Sequence, residues 1–343
     1  MQDTDRNFQN ILVIDFGQLG DVVLSLPALK ALKHKFPASH ITVLAGMAAG
    51  EVVAISGLAD EVIKLDRVDL RDGPKLRSIT KIFRFVGDIR RRQIDLVIDL
   101  HSLPETNILA FLSKAKHRLL ANRESRSLDI LSNYRPLPPK EDKARHLGRR
   151  YLDVLMPLGI TDAELSFIFQ TSSAEREFVS DHIFGSSSGR MVGLFPGAGH
   201  PSRCWSLENF ATLAVDVVNE GFIPVVFLGP EEKNIKERVK ALFPSATVII
   251  DGLSLAQFIA ATARVEAFVT NDTGPMHLAA CAGAPILLLL DKRAPKTYLP
   301  LTDQLEVIND KTINEISVKE TFKKLMTMIN STASENDKSA ATC

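Results

Sequence analysis

The sequence predicts an α/β fold built from two doubly wound parallel sheets. Three observations carry this reading. Short apolar, β-branched runs alternate with helix-compatible stretches from residue 11 to residue 121, and such alternation argues for a parallel sheet. The alternation breaks in an Arg-, Ser- and Pro-rich stretch, Asn122–Lys143, and restarts at Met191. The chain has 343 residues, beyond the size at which one hydrophobic core usually keeps growing.

Taken in order, Ile11–Asp15 is a strand, Gly17-Gln18-Leu19-Gly20-Asp21 a turn, and Val22–Phe36 a helix with Pro27 near its start. Ile41–Ala45 and Glu61–Leu65 are strands, and Leu76–Arg92 has helical periodicity with a basic end. Ile94–Leu100 is a strand, Glu105–Lys114 a helix and Arg118–Ala121 a short strand. Ala144–Met156 is a helix closed by Pro157-Leu158-Gly159, and Ile160–Ser172 is the passage between domains. In the second half Met191–Phe195, Ile223–Leu228, Thr247–Ile250, Val265–Val269 and Pro285–Leu290 are strands with helices between them. Ile313–Ile329 is a last helix, and the polar Asn330–Cys343 is expected to be disordered. The expected division is a Rossmann-like domain over 1–160, a second over 161–312, a helix over 313–331 packing back on the first domain, and a disordered tail over 332–343. The two domains are expected to face each other across a cleft.

Composition narrows the function classes. Apolar residues make up 45% and charged residues 24%, as in ordinary soluble globular proteins. The formal net charge is zero, so bulk charge gives no argument for nucleic acid. Cys204, Cys281 and Cys343 are scattered. They show neither metal-ligand spacing nor a disulfide framework, which fits a reducing compartment. The polar start of the chain does not read as a signal peptide. No apolar run approaches the roughly 20 residues a membrane span needs, so a membrane role is expected to be peripheral.

Four loops carry chemistry, each after a strand. Phe268–Ala280 runs from an apolar strand through Thr270-Asn271-Asp272-Thr273-Gly274-Pro275 into a helix start. Strand ends of this kind line the ligand crevice of open α/β sheets, and the free N–H groups of the helix favour an anion. Thr273 and Gly274 suit close approach to phosphate, and His277 lies one turn in. The plainer reading is an ordinary helix capped by Asp272 or Thr273. The second loop is Gly17-x-x-Gly20-Asp21. It lacks the spacing of a dinucleotide fingerprint and the Lys-Ser/Thr of a P-loop. Asp21 can serve as general base on a hydroxyl, or simply cap the helix and complement its dipole. The third is Phe195–Trp205, where Gly197 and its neighbours offer N–H groups, Ser202 and Arg203 add polar and charged contacts, and Trp205 packs or stacks. The fourth is Gly229-Pro230-Glu231-Glu232, whose acids can accept from a ribose or complement a helix start. His101 follows a strand and can face the cleft, although a lone histidine there is more often structural.

Leu19–Leu32, Leu194–Ala214 and Asn271–Pro285, supported by Asp95–Leu103 and Arg145–Ile160, resemble glycosyltransferase family 9, the heptosyltransferases of lipopolysaccharide core synthesis. The resemblance implies a GT-B fold, with the acceptor on the N-terminal domain and a nucleotide-sugar donor on the C-terminal one. It implies an inverting, metal-independent transfer, with ADP-heptose as donor and no cofactor. No metal-binding DxD-type motif presents itself. Carried over by residue, Asp21 matches the general base, Arg203 a basic residue on donor phosphate, and Glu231 (or Glu232, by register) an acid on the ribose. Asp272, Thr273, Gly274 and His277 match the loop for donor sugar and diphosphate, with Gly197 and Ser202 beside it. Gly20, His101, Arg123 and Arg126 stand on the acceptor side. The implied partner is an anionic glycolipid, met by a monomer in the cytoplasm at the inner face of the membrane. The basic cluster Arg118, Arg123, Arg126, Arg135, Lys140, Lys143, Arg145, Arg149 and Arg150 suits such an acceptor, or is a solvated face and loop. Two segments depart from the family pattern. Asp15-Phe16 lies where relatives commonly carry Arg or another polar, non-acidic residue, and Asp291-Lys292-Arg293-Ala294 replaces the usual turn after the last strand. The alternatives are a nucleotide-sugar-binding protein without turnover, or a transferase using another nucleotide sugar.

Overall fold

The structure is a computed structural model that describes residues 7–66, 85–123, 128–185 and 189–340. Backbone contacts divide the chain into two units, Met1–Phe167 with Lys296–Leu299, and Ile168–Pro295 with Pro300–Cys343.

The first unit holds a five-stranded sheet of order β3-β2-β1-β4-β5, all pairs parallel. Its elements are β1 (Asn10–Asp15), α1 (Leu19–Lys35), β2 (His40–Gly46), α2 (Met47–Ser56), β3 (Glu61–Leu65), α3 (residues 85–91), β4 (Leu96–Asp99), α4 (Pro104–Leu112), β5 (His117–Leu120) and α5 (Leu147–Leu155). The β-branched strands β1, β2 and β4 are buried almost throughout, as central parallel strands must be. The start of β1 is tied to β4 by Asp95, whose Oδ2 accepts from the N–H groups of Gln9 at 2.8 Å and Asn10 at 3.0 Å. The first part of the expected helix Leu76–Arg92 lies outside the described residues.

The passage between units begins after Phe167 rather than after residue 160. Residues 161–167 pack on the first unit: Arg149 Nη1 donates to Ala163 O at 3.2 Å, and Phe167 is buried. The segment Lys296–Leu299 also belongs to this unit, where His146 Nε2 bonds Leu299 O at 2.8 Å. Such a return is invisible in local sequence patterning.

The second unit holds a six-stranded parallel sheet of order β11-β10-β9-β6-β7-β8. Its elements are α6 (Ser173–Phe178), β6 (Met191–Phe195), α7 (Leu207–Asn219), β7 (Ile223–Leu228), α8 (Lys236–Leu242), β8 (Val248–Asp251), α9 (Leu255–Thr262), β9 (Ala267–Asn271), α10 (Gly274–Cys281), β10 (Ile286–Asp291), β11 (Leu305–Asp310) and α11 (Val318–Ala340). In both sheets the first strand is central and the chain winds outward on either side. The switch points therefore lie between β1 and β4 and between β6 and β9, where ligands collect in open α/β sheets.

Three differences from the sequence reading stand out. β11 is an additional, half-exposed edge strand whose acids disguise it. Ile313–Glu315 forms a single 3-10 turn, and the last helix starts at Val318. That helix buries Leu325, Met328 and Ile329 in the core of the second unit, beside Leu213 and Val217 of α7. It continues to Ala340, through residues expected to be disordered; extending a packed helix costs far less than nucleating one.

Candidate functional site

In the first unit the switch point is acidic and largely buried. β1 and β4 both end in Leu-Val-Ile-Asp, and both terminal carboxyl groups, Asp15 and Asp99, are fully buried. Asp15 Oδ1 accepts from Gly17 N–H at 3.0 Å, while its Oδ2 is buried without a hydrogen-bond partner. Ser25 lies near, but its hydroxyl donates to Val22 O at 2.9 Å. Asp99 accepts from Ser102 N–H at 2.6 Å and from Asn107 Nδ2 at 2.8 Å. Burial pushes both carboxyl groups up to about 6, against the pull of Arg123. Arg123 is buried, donates to Leu100 O at 3.4 Å and lies 3.5 Å from Glu141, which also takes Arg150 at 3.0 Å.

Asp21 stands beside this pair, in the first turn of α1. Its Oδ2 accepts from Gln18 N–H at 3.0 Å, so the carboxylate does cap the helix. It is half-buried, and desolvation raises its pKa while the Gln18 N–H, Arg123 and Arg150 oppose the shift. Gly17 makes the turn possible: a Cβ there would lie 2.6 Å from Asp21 Cβ and 3.2 Å from Asp15 Oδ1. Gly20 is the second residue of α1, and His101 follows β4, half-buried. Asp21, Gly20, His101 and Arg123 thus share the carboxyl edge of one sheet, and Arg126 lies outside the described residues. Elsewhere in the basic cluster Arg135, Lys140, Lys143 and Arg145 are exposed, and several of its arginines also hold backbone or acidic groups. Arg118 donates to Leu131 O, Arg135 to Tyr134 O and Arg149 to Ala163 O, while Arg145 pairs with Asp153 at 2.5 Å.

In the second unit the loops after β6, β7 and β9 meet. Asn271 ties the end of β9 to the loop after β6. It is fully buried, its Nδ2 donates to Pro196 O at 2.9 Å and Gly197 O at 3.2 Å, and its Oδ1 accepts from Trp205 N–H at 3.0 Å. Trp205 is a packing residue: it is buried, its indole donates to Ile316 O at 3.1 Å, and its ring meets Phe210 edge-on at 5.1 Å. Arg203, on a 3-10 turn, reaches Asp272 at 3.5 Å. Burial raises the Asp272 pKa and Arg203 lowers it. Ser202 is exposed and bonds His200 Nδ1 through its hydroxyl at 2.8 Å.

Thr273 is the N-cap of α10, but its side chain makes no capping bond. Gly274 opens the helix, leaving its first N–H groups without a side-chain acceptor from the cap, and His277 is buried one turn in. Glu231 and Glu232 part company. Glu232 is buried, its Oε2 accepts from Gly229 N–H at 3.1 Å, and a Cβ on Gly197 would lie 2.0 Å from its Oε1. Glu232 therefore supports the two glycine loops from beneath, while Glu231 is exposed. The departing turn Asp291–Ala294 is closed on itself: Arg293 grips Asp291 with Nε at 3.0 Å and Nη2 at 2.8 Å, holding that carboxyl down to about 2.

Asn271 was readable only as part of a polar turn; its signal is a buried amide directly after an apolar strand. Asp15 and Asp99 carried a clearer signal, a repeated Leu-Val-Ile-Asp ending two adjacent strands.

Comparison with known proteins agrees with this architecture. The family model for glycosyltransferase family 9 (heptosyltransferase) matches residues 82–326. Lipopolysaccharide heptosyltransferase 2 of Salmonella typhimurium is 24% identical over 311 residues, which is 87% of each chain. A family 9 glycosyltransferase from Veillonella parvula superposes with a TM-score of 0.81 at 25% identity, covering 95% of this chain and 98% of that one. The E. coli ADP-heptose lps heptosyltransferase II gives a TM-score of 0.80 at 20% identity, covering 95% and 100%. The chain belongs to glycosyltransferase family 9, and its fold is GT-B.

Proposed function

From membership in that family, we propose that the chain transfers a heptose from ADP-heptose to a hydroxyl of an anionic, lipid-linked lipopolysaccharide core, with inversion and without a metal. The observation that carries the reading is the carboxyl edge of the first sheet. There a half-buried carboxylate, Asp21, is held by Gln18 N–H at 3.0 Å, and desolvation raises its proton affinity. Asp21 takes the proton of the attacking hydroxyl as it bonds to the anomeric carbon, and the bond to the diphosphate breaks on the opposite face. Arg203 and the N–H groups at the start of α10 stabilise charge growing on the departing diphosphate. Thr273 and Gly274 allow its close approach, Gly197 and Ser202 flank it, and Asp272 orients Arg203 and the donor sugar. His277 supports this loop from within the helix. Glu231 takes the ribose hydroxyls, because the Glu232 carboxylate is bonded to Gly229 N–H and packed against Gly197. Gly20, His101, Arg123 and Arg126 form the acceptor side, with the reaction at the cytoplasmic face of the inner membrane and the enzyme a monomer.

A second reading has one observation in its favour. Asp21 already caps α1, which is all that a nucleotide-sugar-binding protein without turnover requires. The donor half is tested by calorimetric titration of the purified chain with ADP, GDP, UDP and dTDP, with magnesium and with EDTA. Selective binding of ADP, unchanged by EDTA, is expected. Preference for another base assigns a different donor, and binding that requires magnesium removes the metal-independent mechanism.

A further inference from the structure

Helix α4 carries apolar residues on two faces, with Leu109 and Ala110 packed on the core of the first unit. It buries Thr106, Asn107 and Ala110. It exposes Ile108 by 46%, Phe111 by 50% and Leu112 by 36%. The buried polar side chains are occupied with the end of β4. Asn107 Nδ2 donates to Asp99 Oδ2 at 2.8 Å and Ser102 Oγ at 3.0 Å, and Thr106 Oγ1 donates to Leu103 O at 2.9 Å. With Leu109 and Ala110 on the core and Thr106 and Asn107 bonded inside, the helix leaves a second apolar face, Ile108, Phe111 and Leu112, open to water. Residues 108, 111 and 112 are three and four apart and so lie on one stripe. Asn107 extends the stripe: its Oδ1 accepts from Leu128 N–H at 2.7 Å, holding against the helix a turn in which Leu128 is 37% and Ile130 is 91% exposed. Exposed apolar side chains scattered singly are ordinary, but a contiguous set from two adjoining segments marks an interaction surface.

The rim of this surface is cationic. Arg90 Nε donates to Leu112 O at 2.8 Å. Arg118 Nε donates to Leu131 O at 2.9 Å, and its guanidinium lies 5.5 Å from the Phe111 ring centroid. Lys114 and Lys116 are exposed in the turn after the helix. Glu105, at the helix N-terminus, and Asp129, between Leu128 and Ile130 in the chain, are the acids of the two segments, against four cations. The arrangement decides between occupants. A second copy docking through a two-fold axis would set these cations against themselves. A surface of anionic lipid headgroups complements them and accepts protruding apolar side chains at the acyl boundary.

We propose that the outer face of α4 and the turn carrying Ile130 dock the protein on an anionic membrane surface. Ile108, Phe111, Leu112, Leu128 and Ile130 enter the headgroup–acyl boundary, and Arg90, Lys114, Lys116 and Arg118 lie among the phosphates with their aliphatic stems along the apolar patch. The proposal rests on the lipid-linked acceptor of the proposed function for its purpose, but its test needs no turnover. The full chain is sedimented with vesicles of phosphatidylcholine alone and of phosphatidylcholine containing about one-third phosphatidylglycerol. Binding to the anionic vesicles is expected to exceed binding to the neutral ones and to weaken with salt. The double variant Phe111→Ser/Ile130→Ser is expected to lose at least about tenfold in vesicle affinity. Its thermal melt and its nucleotide affinity are expected to be unchanged. Lys114→Gln/Lys116→Gln is expected to lower binding to the anionic vesicles only. Equal binding by the apolar variant and the parent overturns the proposal, as does failure of the parent to bind the anionic vesicles. Self-association of the parent that disappears in Ile130→Ser assigns the face to a second copy and also overturns it.

Discussion

Replacing Asn271 by alanine removes three buried hydrogen bonds at once. Trp205 N–H loses its acceptor at 3.0 Å, and the carbonyls of Pro196 and Gly197 lose their donor at 2.9 and 3.2 Å. An orphaned buried polar group costs about 1–3 kcal/mol, and carbonyls, with a second lone pair, fall at the low end. One donor and two acceptors therefore predict a loss of about 3–4 kcal/mol in the second unit. The chain has a single tryptophan, Trp205, bonded to the mutated side chain, so its fluorescence reports unfolding of that unit. With a urea slope of about 3 kcal/mol per molar for a unit of this size, the midpoint should fall by about 1 M. The variant Asn271→Asp refines the test. It keeps the acceptor for Trp205 but sets a carboxylate oxygen against two carbonyls. Only the protonated acid can donate there, so the folded-state pKa is raised above the unfolded value. The stabilising contribution is present below the unfolded pKa and is lost as pH rises through the folded one. Asn271→Asp should approach the parent near pH 4, about the unfolded aspartate pKa, and fall below it at pH 8. A midpoint for Asn271→Ala within about 0.2 M of the parent, or an Asn271→Asp variant equally stable at both pH values, refutes the assignment of Asn271 as the tie between β9 and the loop after β6.

Three further outcomes are expected. Asp15 sits at about 6 when folded against 3.8 unperturbed, so the folded chain binds more protons between those values, and its stability falls as pH rises through that window. Asp15→Asn should therefore gain stability on the order of 2–3 kcal/mol relative to the parent at pH 7.5 and little at pH 4.5, read by urea melts followed by circular dichroism; an equal gain at both pH values contradicts it. Gly197→Ala drives a methyl into Glu232 and should cost about 1–3 kcal/mol together with nucleotide affinity. Adding Glu232→Ala should restore part of that stability, and strict additivity in the double-mutant cycle would contradict the contact. Gly17→Ala places a methyl 2.6 Å from Asp21 Cβ and should lower kcat by tenfold or more at unchanged ADP affinity; a loss of ADP affinity instead would place the damage outside the turn.

Local pattern made most of the fold legible. Apolar runs such as Ile11–Ile14 and Ile286–Leu290 have no stable place outside a covered parallel sheet, and their spacing by helices set the winding. β11 escaped because its edge position tolerates Glu306, Asn309 and Asp310, which leave only Leu305, Val307 and Ile308 apolar. The return of Lys296–Leu299 to the first unit escaped because it rests on bonds such as His146 to Leu299, 153 positions apart. At the site, Asp21, Arg203 and Asp272 were visible because charged residues stand out where strands meet glycine turns. The work of Asn271 was not, since it acts on backbone groups of another loop, and nothing in the sequence separated Glu232, which holds Gly229 N–H of its own turn, from Glu231. The basic cluster divides: Arg123 and Arg150 are buried on Glu141, while Arg135, Lys140, Lys143 and Arg145 are exposed, a split that depends on contacts such as Arg150 to Glu141 and not on composition.

The most direct test of the account is single-turnover formation of ADP from ADP-heptose in EDTA, with core acceptor added, comparing the parent with Asp21→Asn. The parent is expected to release ADP only when acceptor is present. Asp21→Asn is expected to bind ADP-heptose as the parent does and to release ADP at least about 100-fold more slowly. An Asp21→Asn variant as fast as the parent removes the general base, and a parent that binds ADP-heptose but never releases ADP with acceptor contradicts transfer itself.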